Sequence, residues 1–149
     1  MPTASAPRTL AEQLRSWPDE WLAALLRSRP DLGTPAPQDT GQLAARAAVR
    51  ASLLRAMDGL TRLELTVLEA LAVLGPATSA DVVGWVYADP ARTEEALQRL
   101  LDLVLVWHAP DGLRTLTGVR EGLVGSPGSS GLHPRSATPP SRDAAGGTA

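Results

Sequence analysis

The chain has no cysteine, no lysine and no phenylalanine, and each absence excludes a class of structure or chemistry. Without cysteine, neither a disulfide framework nor a thiolate for metal binding or nucleophilic attack can form, and a reducing cytoplasm is the expected compartment. Without lysine, the phosphate-binding loop of nucleotide hydrolases, G-x-x-x-x-G-K-[ST], cannot occur. Aromatic residues make up only 3% of the chain, as four Trp and one Tyr. The core must therefore consist of Leu, Val and Ala, a composition that favours packed helices.

The net charge is small, at −2, and the distribution of charged residues along the chain argues against a phosphate-binding surface. Residues 1–38 and 39–75 each hold four Arg and four acids, whereas residues 76–125 hold four Arg and seven acids, a net charge of −3. Proteins that bind a phosphate backbone usually carry a strongly basic face, which this pattern does not provide. The N-terminal stretch MPTASAPRTLAEQ lacks an apolar signal region, and acids interrupt the longest apolar runs. We expect a soluble, cytoplasmic protein without membrane contact.

Helical patterns dominate the first part of the chain. SWPDEWLAALLRSRP places Pro18 near the first position of a helix and two acids in its first turn, and Pro30 ends that helix. A connector rich in turn-forming residues follows. Asp39 or Thr40 then caps a long helix that we expect to continue to about Met57.

The second half is predicted to contain three helices followed by a hairpin. Residues 62–74, RLELTVLEALAVL, are apolar nearly all the way round, as in a helix surrounded by other elements, and we expect them to lie at the centre of the core. Two further helices are predicted at residues 79–88 and 90–103. In LVLVWHAPDGLRTL, residues 103–116, an apolar run meets a Pro-Asp-Gly corner and a second run returns. Pro suits the second turn position, and Gly accepts the positive φ of a type I turn followed by a bulge.

Three helices followed by a β-hairpin is the order of elements in a winged helix-turn-helix. We therefore predict a mainly α fold in which an N-terminal helical segment, residues 1–60, packs on a winged-helix-like segment with a short β-hairpin, residues 61–125, as one compact unit. A tail at residues 126–149 has almost no apolar content and is predicted to be disordered. The alternative architecture continues the last helix through residues 103–116 and has no wing. It is disfavoured because the Pro-Asp-Gly corner would break a helix.

Five blocks of the sequence, taken in order, carry a resemblance to a known family. They are LAALLRSRPDL, TPAP, LAARAAVRASLLRAMDGL, LTVLEALAVLG, and ALQRLLDLVLVW followed by a short hairpin and GVREGL. Over residues 8–124 the chain resembles the N-terminal region of bacterial helicase-associated proteins of the XPB type, in which a region similar to XPB-type DNA repair helicases follows. The resemblance implies a DNA-transaction context without helicase activity in this chain. The abrupt change of composition after Val124 predicts a shortened relative, either a functional truncation or a frameshifted remnant.

Arginines provide the candidate contacts to nucleic acid. On the second helix of the turn motif and in and after the wing, these are Arg92, Arg99, Arg114 and Arg120. Acids that would repel phosphate lie on the same elements: Glu94, Glu95, Asp102 and Asp111. An alternative basic face on the long predicted helix consists of Arg46 and Arg50. Solvated helix surface is the simpler interpretation of both sets.

The remaining polar and aromatic residues form no catalytic or metal-binding constellation. His108 and His133 have no acid or second His at ligand spacing, and no serine lies in a nucleophile elbow. Trp21 and Trp107 belong to apolar stripes and are predicted to pack in the core, whereas Trp85 is predicted to be exposed. We expect no enzymatic activity, no cofactor, no metal and no small-molecule substrate.

Three functions are compatible with these sequence features. A non-catalytic winged-helix module would engage duplex DNA or, in better agreement with the acidic second half, dock a helicase or another protein partner. A transcriptional regulator would bind duplex DNA as a dimer through the same motif. A truncated remnant would act only as a protein-interaction domain.

Overall fold

The computed structural model describes residues 7–125, and the tail predicted to be disordered, residues 126–149, lies outside them. The described chain is mainly helical, as predicted, with a two-stranded antiparallel hairpin. Its α-helices are α1 (Leu10–Arg15), α2 (Asp19–Ser28), α3 (Thr40–Ala47), α4 (Arg50–Asp58), α5 (Arg62–Leu74), α6 (Ser79–Trp85), α7 (Pro90–Asp102) and α8 (Val119–Gly125). The strands are β1 (Val106–Ala109) and β2 (Gly112–Thr115), and a short 3-10 helix spans Pro30–Gly33.

Local capping residues determine where the central helices begin. The Thr61 hydroxyl accepts a hydrogen bond from the N–H of Glu64 at 3.1 Å, and the Glu64 carboxylate accepts one from the N–H of Thr61 at 2.9 Å. Two otherwise unpaired donors at the start of α5 are satisfied in this way. Thr78 and Asp81 form the same reciprocal pair at α6, and the Asp89 side chain caps α7. These signals are all readable in the sequence, and the predicted starts of the three helices are confirmed.

Helix α5 lies at the centre of the core, as predicted from its apolar sequence. Four of its apolar residues are buried, Val67, Leu68, Ala70 and Leu71, together with Glu64 and Glu69. It packs against α6, α7, α8 and β2, and α7 contributes the buried stripe Ala96, Leu97 and Leu100. Burial of aliphatic surface, at about 25 cal/mol per Å², is the main stabilising contribution in a chain with so few aromatic residues.

The predicted hairpin is present, and the alternative of an unbroken helix through residues 103–116 is wrong. Strands β1 and β2 pair antiparallel with Ala109 opposite Gly112, so that Pro110 and Asp111 form the corner. The fixed φ of proline and its missing N–H favour a corner over a helix at this point. The Pro-Asp-Gly sequence was therefore sufficient to predict the reversal of the chain at this corner.

A third stretch of extended backbone joins the hairpin at Ala77. The Ala77 N–H donates to the Leu113 carbonyl at 3.2 Å, and the Ala77 carbonyl accepts the Leu113 N–H at 2.8 Å. Gly112 lies against this bridge with a φ of 134°, and a Cβ atom at Gly112 would come within 3.0 Å of the Ala77 nitrogen. Glycine is thus required both by the backbone conformation and by the close approach of a second chain segment.

Helix α7 ends in a Schellman motif that turns the chain into β1. The N–H of Leu105 donates to the Leu100 carbonyl at 3.0 Å, and the N–H of Val104 donates to the Leu101 carbonyl at 3.1 Å. Val104 takes the left-handed position that glycine usually occupies, with a φ of 60°. A β-branched residue is strained in this conformation. Val104 is completely buried, and that burial offsets part of the strain.

The long helix predicted from Asp39 or Thr40 to Met57 is wrong, because the chain breaks after Ala47 into α3 and α4. In a continuous helix the Ala47 carbonyl would accept the N–H four residues further on. Here it accepts a hydrogen bond from the Arg29 guanidinium at 2.9 Å. A side chain from elsewhere in the fold therefore satisfies the end of α3. The helix predicted at residues 79–88 is also shorter than expected and ends at Trp85.

The same arginine connects the first sixty residues to the end of α7. Arg29 is only 2% exposed, and besides Ala47 it donates to the Ser52 hydroxyl at 2.8 Å and to the Leu103 carbonyl at 3.0 Å. Ser52 in turn donates to the Asp31 carboxylate at 2.5 Å. Burial lowers the pKa of Arg29 to about 10, and the charge of Asp31 opposes this shift. The side chain stays protonated at neutral pH, where the carbonyl ends of two helices face its charge.

Candidate interaction surfaces

Helix α7 was predicted to contact DNA, and its exposed face is acidic overall. Its buried side faces the core through Thr93 and the apolar stripe. The charged residues on the exposed side are Arg92, Glu94, Glu95, Arg99 and Asp102. With two cations and three acids, this face carries a net negative charge and repels a phosphate backbone.

The position of Arg99 reduces this basic character further. Its Nε atom lies 3.3 Å from Oε2 of Glu64, the residue that also completes the capping box of α5. The Glu64 side chain is 12% exposed and that of Arg99 is 53% exposed. The ion pair links α7 to the start of α5, and a DNA backbone would have to compete with it for this guanidinium.

The arginine of the hairpin is also paired within the fold. Arg114 on β2 donates from Nε to one oxygen of Asp111 at 2.9 Å and from its terminal nitrogen to the other at 2.6 Å. These bonds hold the pKa of the exposed Asp111 carboxyl below its ordinary value and raise the pKa of Arg114. The tip of the hairpin therefore presents a closed ion pair and no free positive charge.

The other two arginines predicted to contact nucleic acid, Arg92 and Arg120, lie on different helices, α7 and α8. Arg92 is in the first turn of α7, where its N–H donates to the Asp89 carboxylate at 3.1 Å, and its exposed guanidinium has no ion-pair partner within residues 7–125. Arg120 is exposed on α8, a helix beyond the hairpin that packs on α4. The four arginines thus lie on three elements, and two of them are neutralised internally.

The alternative basic face is reduced in the same way. Arg46 donates to the carbonyl oxygens of Leu32, at 3.1 Å, and of Pro35, and its other terminal nitrogen lies 3.5 Å from the Gln42 side chain. It thereby fixes the connector that precedes α3. Arg50, the first residue of α4, is exposed. Of the predicted pair, only Arg50 remains available to a ligand.

A groove lies between the N-terminal helices and α7 and is here called the Trp groove. One wall consists of Trp17 and Trp21, whose rings meet edge to face with centroids 5.8 Å apart. The remaining residues that line it are Gln13, Ala24, Ser28, Gln98, Arg99, Leu101, Asp102, Leu103 and His108. Its volume is about 490 Å³, within the range of surface sites that bind ligands or anchor side chains of a partner.

The Trp groove continues along α7 toward the hairpin. A neighbouring hollow of about 470 Å³ shares Gln98, Leu101 and His108 with it and extends to Glu94 and Gly112. The Gln13 side chain, which is buried, accepts the backbone N–H of His108 at 2.9 Å and fixes the floor where the two hollows meet. The two adjoining hollows are lined by both apolar and polar side chains.

The prediction that Trp21 packs in the core is wrong, since 55% of this residue is exposed. Helix α2 buries Leu25 and turns Leu22 and Leu26 toward the core. Trp21, one turn before Leu25, lies at the edge of this stripe and contacts Trp17. No sequence signal separates Trp21 from the leucine stripe, because Trp21 lies one turn before Leu25 and Trp17 lies outside α2. Trp107 packs against the core as predicted.

A second exposed surface lies at the turn between α6 and α7, and it is here called the Trp85 cleft. Trp85 is 46% exposed, which confirms its predicted exposure, and Tyr87 is completely exposed. An open cleft of about 840 Å³ is lined by these residues together with Arg62, Leu63, Thr66, Gly84, Val86 and Ala88. No sequence pattern indicates a role for Tyr87 or Arg62, because their proximity depends on the packing of α6 against α5.

Neither a protein-family model, nor a curated protein, nor a solved structure matches this chain. Within residues 7–125, no group of three or more His, Asp or Glu side chains is placed to hold a metal ion. His133 lies outside the described residues. The described helices include none with the length and apolar character needed to cross a lipid bilayer.

Proposed function

We propose that this chain is a non-catalytic winged-helix module, resembling the N-terminal region of XPB-type helicase-associated proteins, that docks a protein partner in DNA transactions. The single observation that carries this proposal is the Trp groove, which places a half-exposed tryptophan beside an acidic helix. Tryptophan is among the residues that most often dominate the energy of protein interfaces.

The order of elements supports the winged-helix part of the proposal. Helices α5, α6 and α7 are followed by the hairpin β1–β2, and four residues, 86–89, connect α6 to α7. Connections of this length are typical of helix-turn-helix motifs. The bridge between Ala77 and Leu113 adds a short extended segment between α5 and α6, paired with the hairpin.

The shape and charge of the Trp groove favour a basic amphipathic helix as the docked segment. The groove offers apolar contacts at Trp17, Trp21 and Leu101, which suits the apolar side of a helix. The acids at its margin are Glu94 and Asp102. Because Glu64 offsets the charge of Arg99, a helix with cations on its polar side is electrostatically complementary.

Two synthetic peptides of equal length test this function. Both are amphipathic helices with Leu on one side, and the polar side carries Lys in one peptide and Glu in the other. We expect the Lys peptide to bind more tightly, as measured by fluorescence polarisation, and Trp21→Ala to weaken that binding roughly ten-fold or more. Trp85→Ala, which removes an exposed tryptophan from the other surface, serves as the matched control and should leave the affinity unchanged.

Equal binding of the two peptides, or equal losses in the two Trp variants, would contradict docking in the Trp groove. If neither peptide binds, the proposal of an amphipathic helical partner fails. Both tryptophans lie at the surface, so we expect each variant to keep the fold, and circular dichroism checks this.

Duplex DNA is a second candidate ligand, and the observation that favours it is the unpaired guanidinium of Arg92 at the start of α7. A module or dimeric regulator of this kind would retard random duplex in a gel at low salt, with an affinity that falls steeply as salt rises. Arg92→Ala should then abolish the retardation, whereas Arg27→Ala, on α2, should not. Absence of retardation at micromolar protein removes the DNA module and the regulator together.

A further inference from the structure

The Trp85 cleft carries an inference that is independent of peptide docking. We infer that it is a platform for single-stranded nucleic acid, on which bases stack against Trp85 and Tyr87 while Arg62 contacts phosphate. This would be a second binding activity, at a surface that shares no lining residue with the Trp groove.

The exposure of the two aromatic residues is the first observation behind this inference. Tyr87 is completely exposed and Trp85 nearly half exposed, although the chain has only five aromatic residues and an otherwise aliphatic core. Exposed aromatic rings gain little from the fold. They are, however, what successive unpaired bases stack on, because every base offers a planar face whatever its sequence.

The charges at the Trp85 cleft are the second observation. Arg62 lies in its lining, which contains no acidic residue. In the part of the chain that the structure describes, the Arg62 guanidinium has neither an ion pair nor a side-chain hydrogen bond. This distinguishes it from Arg99 and Arg114, which Glu64 and Asp111 neutralise. A single unpaired cation beside exposed rings complements a ligand that is both aromatic and anionic.

The acids at the starts of α6 and α7 are engaged in capping. Asp81 accepts the N–H of Thr78 at 3.0 Å at the start of α6, and Asp89 accepts the N–H of Arg92 at 3.1 Å at the start of α7. Neither lines the cleft. Arg92, in the first turn of α7 three residues beyond Asp89, is a second cation without an ion pair in the described residues.

Duplex DNA does not fit these features equally well. Its bases are stacked on one another and offer no free face to Trp85 or Tyr87, so only the phosphate contacts would remain. Two arginines provide few such contacts. We therefore expect an unpaired strand to bind more tightly than a duplex of the same length.

The test uses the full chain and a labelled oligothymidylate about a dozen nucleotides long, within the range of known single-strand sites. We expect saturable binding by fluorescence polarisation, with quenching of tryptophan emission. Tyr87→Ala should weaken binding roughly ten-fold, as expected for the loss of one stacked base. Because Tyr87 is completely exposed, its removal should leave the fold intact. Trp85→Ala gives a second, independent measure.

The role of Arg62 is tested by the dependence of affinity on salt. Arg62→Gln should make the slope of log affinity against log salt shallower by about 0.7, the value for one phosphate contact in a single strand. Arg27→Gln, on the exposed side of α2, is the matched control and should leave the slope unchanged. Trp21→Ala should likewise leave oligonucleotide binding unchanged, while it weakens docking of the Lys peptide.

Several results would overturn the inference. These are no binding at high micromolar protein, equal affinity for single strand and duplex, or binding unaffected by both aromatic substitutions. If thymidine monophosphate binds as tightly as the oligonucleotide, the cleft is a mononucleotide site rather than a strand platform. A dimer in sedimentation that Tyr87→Ala dissociates, in a chain that binds no oligonucleotide, would assign the surface to protein contact.

Discussion

Arg29 donates a hydrogen bond of 2.9 Å to the carbonyl oxygen of Ala47, at the point where α3 ends. The same guanidinium holds the Leu103 carbonyl at the end of α7. One buried cation therefore determines a helix break in the first half of the chain and stabilises the turn that leads into the hairpin in the second. The Trp groove lies between the two halves, so its shape depends on this contact.

Loss of Arg29 should destabilise the whole described fold. Arg29→Met keeps most of the apolar stem but leaves two buried carbonyl oxygens and the Ser52–Asp31 pair without their partner. We expect a loss of about 3 kcal/mol or more in the free energy of unfolding, measured by urea denaturation. Arg27→Met, on the exposed side of α2, is the control and should change stability by less than about 0.5 kcal/mol. A similar small change at both positions would show that the buried bonds contribute little.

Two glycines should respond oppositely to alanine. Gly112→Ala places a Cβ atom at a φ of 134° and 3.0 Å from the Ala77 nitrogen, which should destabilise the protein by about 1–3 kcal/mol. Gly84→Ala lies within α6 with no atom within 4 Å of the added carbon. It should stabilise the protein by up to about 1 kcal/mol, the difference in helix propensity. Thermal denaturation of both variants measures this, and a neutral Gly112→Ala would argue against the Ala77 bridge.

The ion pair at the hairpin tip should control the pKa of the Asp111 carboxyl. Arg114 holds the pKa of the Asp111 carboxyl below its ordinary value, so Arg114→Gln should raise that pKa, as followed by carboxyl carbon NMR. Asp81 provides the internal control, because its pKa is lowered by the hydrogen bonds from Thr78 and should not move. If Asp111 titrates identically in the variant, the ion pair does not form in solution.

The sign of the linked stability follows from the direction of this shift. A carboxyl whose pKa is lower in the folded than in the unfolded state adds stability above the unfolded pKa. That contribution is lost as the pH falls through the folded pKa, below about pH 4 for Asp. The wild-type protein should therefore lose it only in strong acid. The effect is small, because solvent screens an exposed pair.

The four tryptophans should differ in their access to a soluble quencher. Trp21 and Trp85 are about half exposed, whereas Trp17 and Trp107 pack against the core. Acrylamide should quench a large part of the emission in the wild-type protein. The double variant Trp21→Phe and Trp85→Phe should lose most of the quenchable fraction, and Trp107→Phe should retain it. The reverse result would place Trp21 in the core, as its sequence alone suggests.

Features encoded within a few residues were predictable. The capping residues Thr61, Thr78 and Asp89 fix three helix starts, and the Pro-Asp-Gly corner fixes the reversal of the hairpin, because each signal works through hydrogen bonds or backbone restrictions among near neighbours. The central position of α5 in the core was likewise predictable from its apolar sequence. For the candidate surfaces, the sequence indicated the low basic charge of the second half and the exposure of Trp85.

Features that join distant residues required the tertiary structure. The break after Ala47 depends on Arg29, eighteen positions away, and no local pattern reveals a guanidinium buried between three helices. The exposure of Trp21, the neutralisation of Arg99 by Glu64 and the meeting of Arg62 with Tyr87 arise in the same way. Composition and capping thus determined that this protein is a helical bundle with a hairpin. Packing decided which arginines and aromatic residues remain free to bind, because charge pairing and burial act between elements far apart in the chain.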